Sequence, residues 1–207
     1  NGGEAAPIAC HISHHDQLQG LVDKTVERFE GLDILVCNAA VNPFFGKLQD
    51  IPDSAFDKIM ETNIKSNHWL CRMSRPHIAA RGGGSIMIIS SIGGLRASVN
   101  LGAYGISKAA DLAIARNLAF EYGPDKIRVN AIAPGFFLAE QNRALLTNPD
   151  GSLTARGETI IKNTPFARFG SSEELVSVPC LCKQLAQEMC LAWPTFGCRL
   201  GAAHTRQ

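Results

Sequence analysis

Apolar and polar positions alternate along this chain with two periods, which separate short buried strands from longer amphipathic helices. Ser85-Ile86-Met87-Ile88-Ile89-Ser90, entered through Gly82-Gly83-Gly84, is a short β-branched run and predicts a buried strand of a parallel sheet. Asp33-Ile34-Leu35-Val36-Cys37, leading into the small-residue turn Asn38-Ala39-Ala40, predicts a second strand, and Arg128-Val129-Asn130-Ala131-Ile132-Ala133-Pro134-Gly135 a third. Between them the period changes to that of a helix. Residues 16–29 place Leu18, Leu21, Val22, Val26 and Phe29 on one stripe. A helix over 54–80 carries Phe56, Ile59, Met60, Ile64 and Leu70, with Asp53 as its expected cap and Pro76 as its expected end or kink. A helix over 103–122 carries Ile106, Ala109, Ala110, Ala113 and Leu118 and stops at Gly123-Pro124. Strands alternating with helices predict an α/β fold around a parallel sheet.

Composition narrows the class. The 207 residues, 45% hydrophobic and 19% charged, suffice for one core. A net charge of +1 gives no reason to expect a nucleic acid or an anionic membrane as partner. The apolar runs are of strand length, which predicts a soluble, cytoplasmic chain without a spanning segment. The seven cysteines are an odd set without metal-ligand spacing. Cys37 and Cys71 lie in apolar contexts and read as buried thiols, and Cys180-x-Cys182 is too tight for the usual zinc loop, so no metal site is expected. His11, His14 and His15 read as surface or crevice residues.

The candidate chemistry lies between Ser91 and Lys108. Ser91 falls at the carboxyl end of a predicted strand, and Tyr104 and Lys108 stand at i and i+4 on one helix face. A carbonyl that receives hydride at carbon must gain a proton at oxygen, and a phenol with a pKa of about 10 is a poor acid or base at neutral pH. A neighbouring ammonium favours phenolate and is expected to lower that pKa. The Ser91 hydroxyl would hold the substrate oxygen while Tyr104 exchanges the proton. A serine hydrolase is set aside, because no Gly-x-Ser-x-Gly elbow surrounds any serine.

Asn38-Ala39-Ala40, Thr62-Asn63-Ile64, Ser91, Tyr104 with Lys108, and Pro134-Gly135, in that order, resemble the motifs of the short-chain dehydrogenase/reductase family over about residues 5–176. The resemblance implies a Rossmann-like, doubly wound parallel sheet and an NAD- or NADP-dependent oxidoreductase acting on a small carbonyl or secondary alcohol. It implies Asn63, Ser91, Tyr104 and Lys108 as the catalytic set. Tyr104 would be the acid/base, Lys108 would also hold the nicotinamide ribose, and Asn63 would support a water relaying protons to Lys108. Asn38, Ala39 and Ala40 would line the ribose and adenine side, and Pro134, Gly135 and Phe137 would face the carboxamide. The alternative roles are structural: Asn63 satisfying buried backbone groups, and Pro134-Gly135 forming only a turn. The family also pairs subunits through its long helices, which implies a homo-oligomer through 54–80 and 103–122.

The sequence departs from the family at both ends. The run 7–12 resembles the family's third strand, with His11 where an aspartate usually meets the adenine, and the first two strands with their glycine-rich phosphate turn are expected to be missing. That predicts a strand without ladder neighbours and weak cofactor binding, and it keeps open a catalytically inactive fragment as the alternative. Beyond Val176 the pattern is lost: Pro179 interrupts an expected helix, and cysteines 180, 182, 190 and 198 crowd the end without strand alternation. We therefore read 1–176 as a partial domain and 177–207 as an anomalous tail out of frame. Substrate signals conflict. Residues 38–46 resemble members that reduce retinal-like and other ketones, whereas residues 134–176 resemble members acting on sugar acids such as mannonate or fructuronate. Phe44, Phe45, Phe136 and Phe137 are candidates for an apolar pocket wall, and Arg96, Gln141 and Arg143 for carboxylate contacts. Ala139 stands where a threonine often contacts the cofactor amide, and residues 145–157 read as an extended polar turn before a helix over 158–162.

Overall fold

The computed structural model describes residues 2–171, 173–175 and 195–196. A parallel sheet in the order β1 (Ile34–Cys37), β2 (Gly84–Ile89), β3 (Ile127–Ile132), β4 (Thr195–Phe196) forms its centre. Cys37 pairs with Ile88, Ile88 with Ala131, and Ala131 with Thr195, so the strands end in step. Helices α1 (His15–Phe29), α3 (Ser66–Ala80) and α4 (Gly102–Tyr122) supply most of the remaining core. Leu18 and Val22 of α1, Leu70 and Ile78 of α3, and Leu112 and Leu118 of α4 form one apolar cluster with Ile86 and Ile88 of β2. Each such fully buried side chain is worth about 1.5–3 kcal/mol relative to exposure. No helix among the described residues is long and apolar enough to cross a membrane.

The three strands and the three helices read from periodicity are present, with these differences. Residues 7–12 form no strand, although Cys10 and Ile12 pack on the core. Extended backbone without a neighbouring ladder has nothing to pair with. The expected helix over 54–80 is three pieces: α2 (Asp53–Ile59), a π-helical turn (Met60–Lys65) and α3. Its N-cap is Pro52, not Asp53, and Asp53 instead places its charge in the first turn, where the helix dipole favours it. Pro76 lies inside α3, so of the two readings, end or kink, the end is ruled out.

Helix α4 buries a face rotated from the one its apolar pattern predicts, the two sharing Leu118. Ile106 and Ala109 are exposed, while Ala103, Ser107, Lys108, Asp111, Leu112, Ala115, Leu118 and Tyr122 are buried. Alanines surround the whole helix, so apolar periodicity discriminates poorly. The inward face is marked instead by polar residues that find partners inside.

The expected polar turn over 145–157 is shorter than predicted. Helices α5 (Glu140–Leu146) and α6 (Ala155–Lys162) flank it, and the Gly157 N–H donates to the Thr154 hydroxyl at the start of α6. The expected out-of-frame tail lies outside the described residues except for β4, whose two residues extend the sheet beside β3.

Candidate active site

The carboxyl ends of β1, β2 and β3 bring the candidate segments to one edge of the sheet, the edge at which open α/β sheets bind ligands. Beyond β1, Asn38, Ala39 and Ala40 are exposed. Beyond β2, Ser91 caps a short 3-10 turn (Ile92–Gly94), its hydroxyl oxygen accepting the Gly93 N–H at 3.1 Å. Beyond β3, the Pro134 carbonyl accepts the Ile92 N–H at 3.0 Å, which fastens the 134–135 turn to the Ser91 loop. Small residues line this edge, and a Cβ added at Gly135 would meet no atom within 4 Å.

Loop and helix are in direct contact. A Cβ on Gly94 would lie 2.5 Å from the Lys108 carbonyl carbon, so only glycine lets the Ser91 loop press on α4 there. The Ser90 hydroxyl donates to the Lys108 carbonyl at 2.6 Å from the same side. This seating puts the Ser91 hydroxyl close enough to the Tyr104 phenol to pull its pKa down. Lys108 Nζ lies 5.8 Å from the centre of the Tyr104 ring.

The electrostatics differ from the sequence expectation. Burial holds the Tyr104 phenol above its ordinary pKa, the Ser91 hydroxyl partly offsets this, and the negative charge of Asp111 adds to it. The expected lowering by Lys108 is not found, because the ammonium is spoken for: it donates to Asp111 Oδ2 at 2.9 Å and to the Ile89 carbonyl at 2.7 Å. The side chains of this pair are 2% and 0% exposed. Burial pushes the Asp111 carboxyl up, while Lys108 and a hydrogen bond from Asn67 pull it down.

Asn63 sits in the π-helical turn, a feature that recurs at functional sites because it re-aims a side chain out of the regular ladder. Its Oδ1 accepts the Val41 N–H at 2.8 Å, and its Nδ2 donates to the Val41 carbonyl and the Ser107 hydroxyl, both at 3.0 Å. The Ser107 hydroxyl in turn donates to the Tyr104 carbonyl at 2.8 Å. The Asn63 side chain therefore does what its structural alternative proposed and satisfies buried backbone groups, tying the turn after β1 to α4. Its own carbonyl accepts Asn67 Nδ2 at 2.8 Å, and the same amide nitrogen reaches Asp111 Oδ1 at 2.9 Å. A continuous chain of protein groups thus links Asn63 to Lys108.

The other candidates are placed elsewhere. His11 lies exposed in the coil before α1, its N–H accepted by Gln17 and its ring 4.6 Å from that of His14. Phe137 pairs with Gly170 through a backbone bridge. Phe45 is half exposed beneath the Arg156 guanidinium, and Arg143 faces Glu140 at 3.9 Å. A cleft of about 370 Å³ opens beside the 93–99 loop, and of the proposed contact residues only Arg96 lines it, next to Leu48, Leu95, Val99 and Ile106. Sequence reasoning passed over Asn67, Ser90, Ser107 and Asp111. The signal for Asp111 was available: a carboxylate three residues after Lys108 in an alanine-rich helix shares its face.

A family model described as enoyl-(acyl carrier protein) reductase matches residues 1–189. The Bos taurus protein dehydrogenase/reductase SDR family member 4 is 39% identical over 169 residues, which are 82% of this chain and 59% of that protein. The Homo sapiens protein of the same name is 34% identical over 169 residues, with the same two shares of 82% and 59%. The chain thus spans less than two thirds of the length of these curated relatives. Among solved structures, a 7 alpha-hydroxysteroid dehydrogenase complexed with NADH and 7-oxo glycochenodeoxycholic acid superposes with a TM-score of 0.85 at 27% identity, covering 99% of this chain and 77% of the other. A putative D-mannonate oxidoreductase from Haemophilus influenza with bound NAD superposes with a TM-score of 0.79, also at 27% identity, covering 86% and 69%.

Proposed function

Because the chain belongs to the short-chain dehydrogenase/reductase family, we propose that it takes part in NAD(P)-dependent interconversion of a carbonyl compound and a secondary alcohol. The observation that carries this reading is the gathering of Ser91, Tyr104 and Lys108 at the carboxyl end of β2, with the Lys108 ammonium 5.8 Å from the centre of the phenol ring. Relatives that share the family, and neighbours whose descriptions record bound NAD or NADH, support the cofactor.

The residues present fit a dinucleotide on one side. Asn38, Ala39 and Ala40 would hold its ribose and adenine portion, and Pro134, Gly135 and Phe137 would face its carboxamide, at a sheet edge left open by small side chains. Two of the three Lys108 N–H bonds are committed to Asp111 and Ile89, and the third has no partner among the described residues, so one donor remains for a ribose hydroxyl. When bound, the nicotinamide supplies or accepts the hydride. The protein's part is then acid–base chemistry. Ser91 holds the substrate oxygen, and Tyr104 gives that oxygen a proton in reduction or removes it in oxidation. A phenol held above its ordinary pKa is protonated at neutral pH, which supports reduction as the direction served there. Neighbours named for a hydroxysteroid and for D-mannonate put both a ketone and a sugar acid on the substrate panel. The exposed Ile106 and Phe120 on α4 support association with a second copy through that helix.

The test is Tyr104→Phe, assayed against a panel of neutral and acidic ketones with NADH and NADPH. Turnover should fall by about 10²–10⁴-fold with cofactor affinity nearly unchanged. Undiminished turnover would remove Tyr104 as the proton donor. Failure of the unaltered chain to bind either nucleotide would favour the inactive reading.

A further inference from the structure

The mechanism above leaves one buried acidic group without a task. Asp111 is fully buried, makes two strong hydrogen bonds and touches neither Ser91 nor the Tyr104 hydroxyl in the contacts described. Removing a carboxylate from water costs several kcal/mol even when it is paired, and a well-packed apolar residue is often no worse for stability. Its presence on the inward face of α4, one turn beyond the lysine, therefore calls for a reason other than packing.

Geometry supplies one. Lys108 can reach toward Tyr104, but its Nζ is drawn to Asp111 Oδ2 at 2.9 Å and to the Ile89 carbonyl at 2.7 Å, and it ends 5.8 Å from the centre of the ring. The carboxylate is itself fixed from the other side by Asn67 Nδ2 at 2.9 Å, whose position is set by the Asn63 carbonyl. The assembly leaves Tyr104 facing a neutral pair rather than a cation.

We propose that Asp111 is a positioning residue that holds the Lys108 ammonium down and cancels its charge, setting the site to deliver a proton from Tyr104 rather than to remove one. In carbonyl reduction the phenolic proton passes to the substrate oxygen as hydride reaches its carbon. In alcohol oxidation the phenolate must form first, and an uncompensated ammonium would favour it. Asp111 thereby moves the oxidative reaction to more alkaline solution. This rests on the oxidoreductase reading for its catalytic meaning, though not for the electrostatic relation between the three side chains.

The groups that face this triad come from every packed element. Helix α4 contributes Tyr104, Lys108 and Asp111, α3 contributes Asn67 and the Cys71 thiol, and the π-helical turn contributes Asn63. β1 contributes Cys37, which the Cys71 hydrogen bond and burial hold as a neutral thiol, and β2 contributes the Ile89 carbonyl. The loop after β2 contributes the Ser91 hydroxyl. Asp111 is the one carboxyl group of this set, and it is the partner of Lys108 at 2.9 Å.

The test needs neither cofactor nor substrate. The chain contains two tyrosines, so Tyr122→Phe leaves Tyr104 as the only phenol, and tyrosinate absorbance reports its titration directly. In that background Asp111→Asn, which keeps the shape and removes the charge, should lower the phenol pKa by about one unit, or about tenfold more phenolate at a given pH. Asp111→Glu should keep the parent value more nearly. An unchanged phenol titration in Asp111→Asn would overturn the proposal. Should that variant fail to fold, the double replacement Lys108→Met with Asp111→Leu removes the pair together. A phenol pKa within a few tenths of the parent is then expected, and a rise of about one unit or more would mean that the lysine had been acting uncompensated. The pH profile of alcohol oxidation is the second readout, with the rise in Asp111→Asn displaced toward neutral pH. A phenol shift without measurable turnover would uphold the role of Asp111 and count against the oxidoreductase reading alone.

Discussion

Replacing Gly94 by alanine tests whether the Ser91 loop is seated on α4 as tightly as the site requires. A Cβ at this position would lie 2.5 Å from the Lys108 carbonyl carbon, 2.6 Å from its oxygen and 2.7 Å from the Ala109 nitrogen. All three are helix backbone, held by their own ladder, so no side chain can swing aside. Ordinary contact begins near 3.4 Å, and restoring it requires the loop to lift by roughly 1 Å, at a cost of about 1–3 kcal/mol for overpacking. The lift also stretches the 2.6 Å bond from Ser90 to Lys108 and withdraws Ser91 from the Tyr104 phenol. A displacement of about 1 Å at a reacting centre costs about 100-fold in rate. Urea unfolding followed by tryptophan fluorescence measures the first effect and ketone reduction the second. Gly20→Ala in α1 is the control: its added Cβ meets nothing within 4 Å, and helix propensity should make it more stable by up to about 1 kcal/mol. A Gly94→Ala protein as stable and active as its parent would mean that the loop does not rest on α4, and the site geometry would have to be redrawn.

Two further outcomes concern charge. Lys108→Met leaves Asp111 buried without its cation and should cost about 3–5 kcal/mol at neutral pH. Because the folded Asp111 carboxyl already lies above its ordinary value, and losing Lys108 raises it further, its contribution is complete below the unfolded pKa and is lost as pH rises through the folded one. The deficit measured by urea unfolding should therefore grow from acid to neutral pH; a pH-independent deficit would contradict the pairing. At the other end of the described chain, the Arg168 hydrogen bonds and the Ser171 N–H hold the Glu174 carboxyl down at about 2. This depressed pKa gives a contribution present above the ordinary value and lost as pH falls through about 2, and Arg168→Ala should return the Glu174 titration, followed by NMR, toward the ordinary carboxylate range.

Much of this arrangement was legible in the sequence because it obeys local rules. Ile86, Met87 and Ile88 are apolar on both faces, as a strand covered on both sides must be, and Ser91, Tyr104 and Lys108 follow at spacings that survive folding. What was misread depended on tertiary partners. Residues 7–12 have strand composition but no described ladder neighbour. The π-helical turn at Met60–Lys65 leaves no mark in periodicity, and the partner of its Asn63 side chain, the Val41 backbone, comes from a distant segment. The inward face of α4 was hidden for the same reason: Lys108 and Asp111 look solvated until each is seen to satisfy the other.

That last point explains why the site is lined by amides and hydroxyls rather than by more apolar packing. A buried amide carries both donors and an acceptor, so Asn63 can satisfy the Val41 N–H and carbonyl together and still donate to Ser107. Asn67 repeats the device between the Asn63 carbonyl and Asp111. Replacing either amide by a hydrocarbon of equal size would strand buried polar atoms on both sides of it, and each stranded group costs about 1–3 kcal/mol. The seam between the π-helical turn, α3 and α4 is thus self-consistent only as a whole. The consequence is that stability and proton chemistry cannot be separated here: the contacts that fix the turn after β1 and the inward face of α4 are also those that fix where the Lys108 charge sits and what Tyr104 experiences.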